Sequence, residues 1–110
     1  MTPDGTFRCE IETSDSDDGH KVTAVRCHGR LTVGNSDQLK DAVEPLISAG
    51  GHIVVDLGEL KYLDSAGLGT LLSLKTSSLR HGSCRFELAN VTQRILDLLR
   101  LTHTDTILLS

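Results

Sequence analysis

Asp56-Leu57-Gly58-Glu59-Leu60-Lys61-Tyr62-Leu63-Asp64-Ser65-Ala66-Gly67-Leu68-Gly69-Thr70-Leu71-Leu72 is the stretch where one periodicity gives way to another. Residues 53–57, Ile-Val-Val-Asp-Leu, are nearly continuous in apolar character, as in a strand covered on both faces. The polar run from Gly58 to Asp64 reads as a connecting loop. From about Ser65 the leucines recur at helical spacing, with Leu68, Leu71, Leu72 and Leu79 forming one stripe. Lys75 falls on the same face, its stem long enough to carry the ammonium outward. A strand feeding a helix through a short loop is the unit from which α/β domains are built. Ser65 stands as the N-cap, its hydroxyl able to accept from the backbone N–H of Gly67 or Leu68. Gly67 and Gly69 each cost a helix about 1 kcal/mol relative to Ala, so propensity did not place them. They leave the backbone bare, and another surface can approach it closely. Taken alone, the string is a capped helix whose glycines pack on a sheet.

Working toward the N-terminus, residues 22–28, Val-Thr-Ala-Val-Arg-Cys-His, are rich in β-formers and read as a strand ended by Gly29. Residues 7–12 alternate apolar and charged and predict a half-buried strand, paired with 22–28 as a hairpin across an acidic loop, 13–21. After the hairpin, Asn35 and Ser36 offer N-caps, and Asn35 with Gln38 approximates a capping box. Leu39, Ala42, Val43, Leu46 and Ile47 then mark one helix face, with Gly50-Gly51 closing the segment. Pro45 predicts a kink or an early end near residue 44, because an interior Pro removes a backbone hydrogen bond.

Toward the C-terminus, residues 84–88 alternate again as a strand. Asn90 is placed to cap a further helix with Val91, Ile95, Leu98 and Leu99 inward. Leu96 and Leu101 lie off that stripe and are expected to pack against the tail, the alternative being a small contact surface. Ile107-Leu108-Leu109 predicts a short edge strand or a segment docked on the sheet. The order β-β-α-β-α-β-α predicts a single α/β domain over residues 1–110, one mixed sheet of four to five strands covered by three to four helices.

Composition narrows the function classes. The chain has 110 residues and a formal net charge of −4, with two Phe, one Tyr and no Trp. A nucleic-acid surface needs a basic patch and stacking aromatics, and neither is present. No apolar run is long enough to span a bilayer, and Met1-Thr2-Pro3-Asp4-Gly5 lacks the pattern of a secretion signal; both point to the cytoplasm. Cys9, Cys27 and Cys84 are widely spaced without a CxxC and read as isolated buried thiols. His20, His28, His52, His81 and His103 show no ligand spacing, and the Asp15–Gly19 loop lacks the closing Glu of a calcium loop, so no metal is expected. Gly67-x-Gly69 lacks the third Gly of a dinucleotide fingerprint. Ser65 sits in no G-x-S-x-G elbow and has no base arranged to activate it, which disfavours a serine hydrolase.

In its setting, Asp64-Ser65-Ala66-Gly67-Leu68-Gly69 resembles the signature of STAS-domain proteins, specifically the bacterial anti-sigma factor antagonists, in which a strand runs into D-[ST]-[ST]-G-[LI]-G and an apolar helix. The resemblance extends to the Gly29-Arg30-Leu31 turn, the Leu-rich third helix and the order of elements. It implies a STAS-like fold and a non-enzymatic protein without cofactor. Ser65 becomes the phosphate acceptor. Asp64, Ala66, Gly67, Leu68 and Gly69, with Gly29, Arg30, Leu31 and Thr32, become the partner-binding surface. The implied partners are an anti-sigma factor serine kinase, which the unmodified form binds so that a sigma factor is freed, and a serine phosphatase that reverses phosphorylation. A monomer or weak dimer is implied, with neither nucleic acid nor membrane as partner. Two positions depart from the pattern: Thr32 where an acidic residue is common, and Ala66 where a hydroxyl is common. A phosphate on Ser65 adds about −1.5 to −2 charges and is expected to meet unpaired N–H groups at the helix start. The alternative is a STAS adaptor subunit of a lipid-transport or multi-STAS assembly, in which Ser65 only caps a helix.

Overall fold

The computed structural model describes residues 7–16, 19–82 and 84–109; Asp17 and Asp18 of the acidic loop lie outside them. Four strands and four helices follow in the order β1 (Arg8–Asp15), β2 (Lys21–Leu31), α1 (Ser36–Ala49), β3 (Gly51–Leu63), α2 (Ser65–His81), β4 (Cys84–Ala89), α3 (Gln93–Leu101) and α4 (Asp105–Leu108). The sheet runs β1-β2-β3-β4. The hairpin partner β1 is antiparallel to β2, while β2, β3 and β4 are mutually parallel. This is the mixed α/β sheet read from the sequence, with four strands. Among the described residues no fifth is added, because the Ile107-Leu108-Leu109 tail turns helical and buries only Leu108.

One face of the sheet carries the core. Val25 and Cys27 from β2, Ile53, Val55 and Leu57 from β3, and Phe86 from β4 are buried against Leu39, Val43 and Ile47 of α1 and Leu68, Leu71 and Leu74 of α2. Each such aliphatic side chain contributes about 1.5–3 kcal/mol on burial. The alternate residues are exposed or half-exposed, so the β3 run is covered on one face rather than two. There, His28 Nε2 meets Glu10 Oε1 at 2.6 Å and His52 Nε2 meets Glu87 Oε1 at 2.8 Å. β1 is an edge strand and mostly exposed; Ile11 is open to solvent rather than half-buried.

Several local expectations are corrected. Gly58 to Asp64 is not a loop: β3 continues to Leu63, pairing Glu59 with His28, Leu60 with Gly29, Tyr62 with Arg30 and Leu63 with Leu31. Gly29 does not end β2 but sits inside it at φ 89°, where the register shifts by a bulge. The strand 7–12 extends to Asp15, which shortens the expected 13–21 loop. Helix α1 runs through Pro45, which lies on its exposed side, as does Asp41, whose carbonyl loses its helical donor to the proline. Asn35 makes no side-chain cap, because its amide is spent on the turn before the helix. In α2 the inward stripe is Gly67, Leu68, Leu71, Leu74, Lys75 and Ser78, and Leu79 lies one residue beyond it, exposed. Lys75 does not snorkel; its Nζ is buried and donates to the Phe86 carbonyl at 2.9 Å. Thr92, not Asn90, caps α3; Asn90 takes φ 53° and donates to Asp56 Oδ2. Leu101 is exposed rather than packed on the tail. Cys9 and Cys27, distant in sequence, are register partners across the hairpin.

Candidate functional site

The C-terminal end of β3 delivers the chain directly into α2, and the junction is held by Asp64. Its backbone N–H donates to the Leu31 carbonyl at 3.2 Å, and its own carbonyl accepts from Leu68 N–H at 2.9 Å. The carboxylate divides its two oxygens between two segments. Oδ1 accepts from Gly67 N–H at 2.9 Å, which makes Asp64 the N-cap of α2. Oδ2 accepts from Val33 N–H at 3.0 Å, in the turn between β2 and α1. The Gly67 N–H above all, then the Val33 and Ala66 N–H groups, hold this carboxyl below the usual carboxylate range, with partial desolvation acting the other way.

The cap assignment moves Ser65. It is the first helical residue rather than the cap, and it is exposed. Of the N–H groups that a phosphate there was expected to meet, that of Gly67 is already taken by Asp64.

The two glycines separate cleanly. Gly67 is buried, and a Cβ there would collide with the Leu31 carbonyl oxygen and come within 2.7 Å of Leu63 Cδ1. It is required so that α2 can approach β2. Gly69 is exposed, and a Cβ there would meet nothing within 4 Å. Nothing inside the fold accounts for it.

The second half of the site is the end of β2 and the turn after it. Asn35 Oδ1 accepts from Thr32 N–H at 2.8 Å and Asn35 Nδ2 donates to the Arg30 carbonyl at 2.9 Å, so the turn is braced from within. Arg30 is exposed and lies over the Tyr62 ring, its guanidinium carbon 4.7 Å from the centroid. Thr32 is half-exposed. Leu31, Gly67 and Leu68 are buried, so of the predicted partner surface these three support it from below. Asp64, Ser65, Ala66 and Gly69 are at least partly accessible, as are Gly29, Arg30 and Thr32.

Sequence reasoning missed Val33, which is 78% exposed, and the bracing Asn35. An apolar residue before a Gly, outside any periodic run, was the available signal for Val33. Beside this site, Tyr62, Leu63, Ile95, Leu98 and Leu101 line a largely apolar cleft of about 530 Å³, with Arg94 and Asp97 also in its lining. Among the described residues, no group of three or more His, Cys, Asp or Glu side chains could hold a metal ion. No helix of the described residues is long and apolar enough to cross a membrane.

Comparison with known proteins agrees with this architecture. The family model described as Mlab, STAS domain, matches residues 15–110. A STAS-domain containing protein of Pseudomonas aeruginosa strain UCBPP-PA14 is 31% identical over 88 residues, 80% of this chain and 85% of that protein. The crystal structure of an anti-sigma factor antagonist from Mycobacterium paratuberculosis superimposes with a TM-score of 0.77 at 19% identity, over 96% of this chain and 86% of that one. The phosphorylated form of the Bacillus cell fate determinant SpoIIAA gives 0.65 at 18% identity, over 92% and 86%. At such identities the two structures share the fold with this chain. The extent of the family match and the identity of the Pseudomonas relative carry the assignment: the chain belongs to the STAS-domain family.

Proposed function

We propose that this protein is a phosphorylation-controlled anti-sigma factor antagonist that works by binding and not by catalysis. In its unmodified form it docks on an anti-sigma factor serine kinase in the cytoplasm and frees the sigma factor. Phosphorylation of Ser65 by that kinase ends the association, and a serine phosphatase restores it. The observation that carries this reading is the placement of Ser65: an exposed hydroxyl at the first helical position, beside a carboxylate already engaged with the helix donors.

A phosphate on Ser65 adds about −1.5 to −2 charges next to the Asp64 carboxylate. Asp64 occupies the Gly67 N–H, so that donor is not free for the phosphate, and the exposed position of Ser65 leaves the new charge open to water. The folded chain tolerates it there, since water solvates it. A docked partner would have to strip that water and face two neighbouring anions. A loss of about 3–4 kcal/mol of binding free energy corresponds to a few hundredfold in affinity.

The test begins with immobilised wild-type protein capturing its kinase, followed by ATP. One phosphate on Ser65 and release of the kinase are expected. Ser65→Asp should stay folded and bind a few hundredfold more weakly. A Ser65→Ala protein that still accepts phosphate would sink the proposal.

A second reading, an adaptor subunit of a larger assembly that never carries phosphate, draws support from Thr32 and Ala66, which depart from the antagonist pattern, and from the description of the matching family model. It predicts near-normal partner binding by Ser65→Asp.

A further inference from the structure

We propose that Cys9 and Cys27 form a cross-strand disulfide pair that, when oxidised, locks the edge strand β1 to the body of the sheet. The structure holds both as free thiols, Cys27 buried and Cys9 half-buried. They are direct partners in the antiparallel β1–β2 register.

The class of that pairing follows from the hairpin's own hydrogen bonds. Ser16 N–H donates to the His20 carbonyl at 2.7 Å. In the same register Asp15 faces Lys21, so Ser16 and His20 take the next pair along, a hydrogen-bonded one. Pairs alternate from there. Asp15–Lys21, Thr13–Thr23, Ile11–Val25 and Cys9–Cys27 are therefore the non-hydrogen-bonded positions, where facing Cα atoms stand about 4.5 Å apart and side chains are closest. That separation lies within the roughly 4.4–6.8 Å that a disulfide spans. Thr13 and Thr23, of the same class and on the same face, show the side-chain proximity directly: their hydroxyl oxygens are 3.3 Å apart.

The chemistry gives each thiol a part. Burial raises the Cys9 thiol above its ordinary value. It pushes Cys27 further, to about 12, with Cys9 and Asp56 nearby adding to the effect. Cys9 is thus the thiol that meets solvent and ionises first. The oxidant is a low-molecular-weight disulfide. The Cys9 thiolate attacks one of its sulfurs and expels a thiolate, leaving a mixed disulfide on Cys9. Cys27 then loses its proton and attacks the Cys9 sulfur, expelling the second small thiol. Two protein thiols are oxidised, and one small disulfide is reduced to two thiols. Because thiolate is the attacking species, the rate rises with pH. Edge strands are where sheets open and where foreign strands add, so the lock falls on the least supported strand.

The experiment uses the full chain carrying Cys84→Ser, incubated with oxidised glutathione at mildly alkaline pH and then read by intact mass and peptide mapping. The expected product is a monomer lighter by two hydrogens, with a Cys9–Cys27 cross-linked peptide. Its unfolding midpoint should rise on the order of 10 °C, reversed by a reductant. A Cys27→Ala variant should stop at the glutathione adduct on Cys9. A stable adduct on Cys9 with Cys27 present, covalent dimers only, or an unaltered mass would overturn the pairing. A cross-link that leaves the midpoint unmoved would overturn the lock.

Discussion

At the scale of single residues, Asp64 does the work that the sequence pattern assigned to Ser65. Both are good cap residues, and their adjacency left the choice to geometry. The extended backbone of Asp64, with φ −99° and ψ −175°, puts its carboxylate over the first turn and frees the serine hydroxyl for solvent. The depressed Asp64 pKa has a consequence for stability with a definite sign. Its ionised form is favoured in the folded state, so its contribution is complete above its unfolded value of about 3.8 and is lost as pH falls through the lower folded value. Asp64→Asn should therefore lower the unfolding midpoint at neutral pH. The gap between variant and wild type should close as the pH is taken below about 4. A gap that persisted unchanged to pH 2 would assign the effect to shape instead of charge.

Among the elements, the junction of α2 with β2 carries the sharpest contrast. Gly67→Ala drives a methyl into the Leu31 carbonyl, a backbone group that cannot turn aside, and overpacking of this kind costs about 1–3 kcal/mol. Gly69→Ala meets empty space and should stabilise the helix by up to about 1 kcal/mol. Urea unfolding of the two variants checks both signs. If the proposed partner docks across α2, Gly69→Ala should also bind it more weakly while being the more stable protein.

Element types and their order were legible because Leu, Val and Ile recur with clean periods in β2, α1, α2 and α3. The long strand β3 was half-hidden because its buried residues after Leu57 are Leu60 and Leu63, a spacing of three that no regular strand shows. The cause is the irregular register against β2, shifted between Arg26 and His28 and again at Gly29, which rotates the alternation. The site was legible through its glycines and its Asp-Ser pair. Val33 and Asn35 were not, since they enter through a turn stabilised by side chains and no period marks a turn.

For the molecule as a whole, the sheet is graded from edge to centre. The central strands β2 and β3 pair along most of their length and bury Val25, Cys27, Ile53, Val55 and Leu57, while β1 buries almost nothing. Amide exchange should follow the same gradient, with β1 amides exchanging fastest among the strands and those of β2 and β3 slowest, near the global unfolding rate. Protection of β1 equal to that of β3 would contradict the gradient.

The divided carboxylate of Asp64 matters most at this scale. By holding the start of α2 with one oxygen and the Val33 turn with the other, it ties together two chain segments more than thirty residues apart. If the proposed partner reads both segments, it meets them already tied together, so less ordering entropy is lost on association and affinity is gained without any added contact.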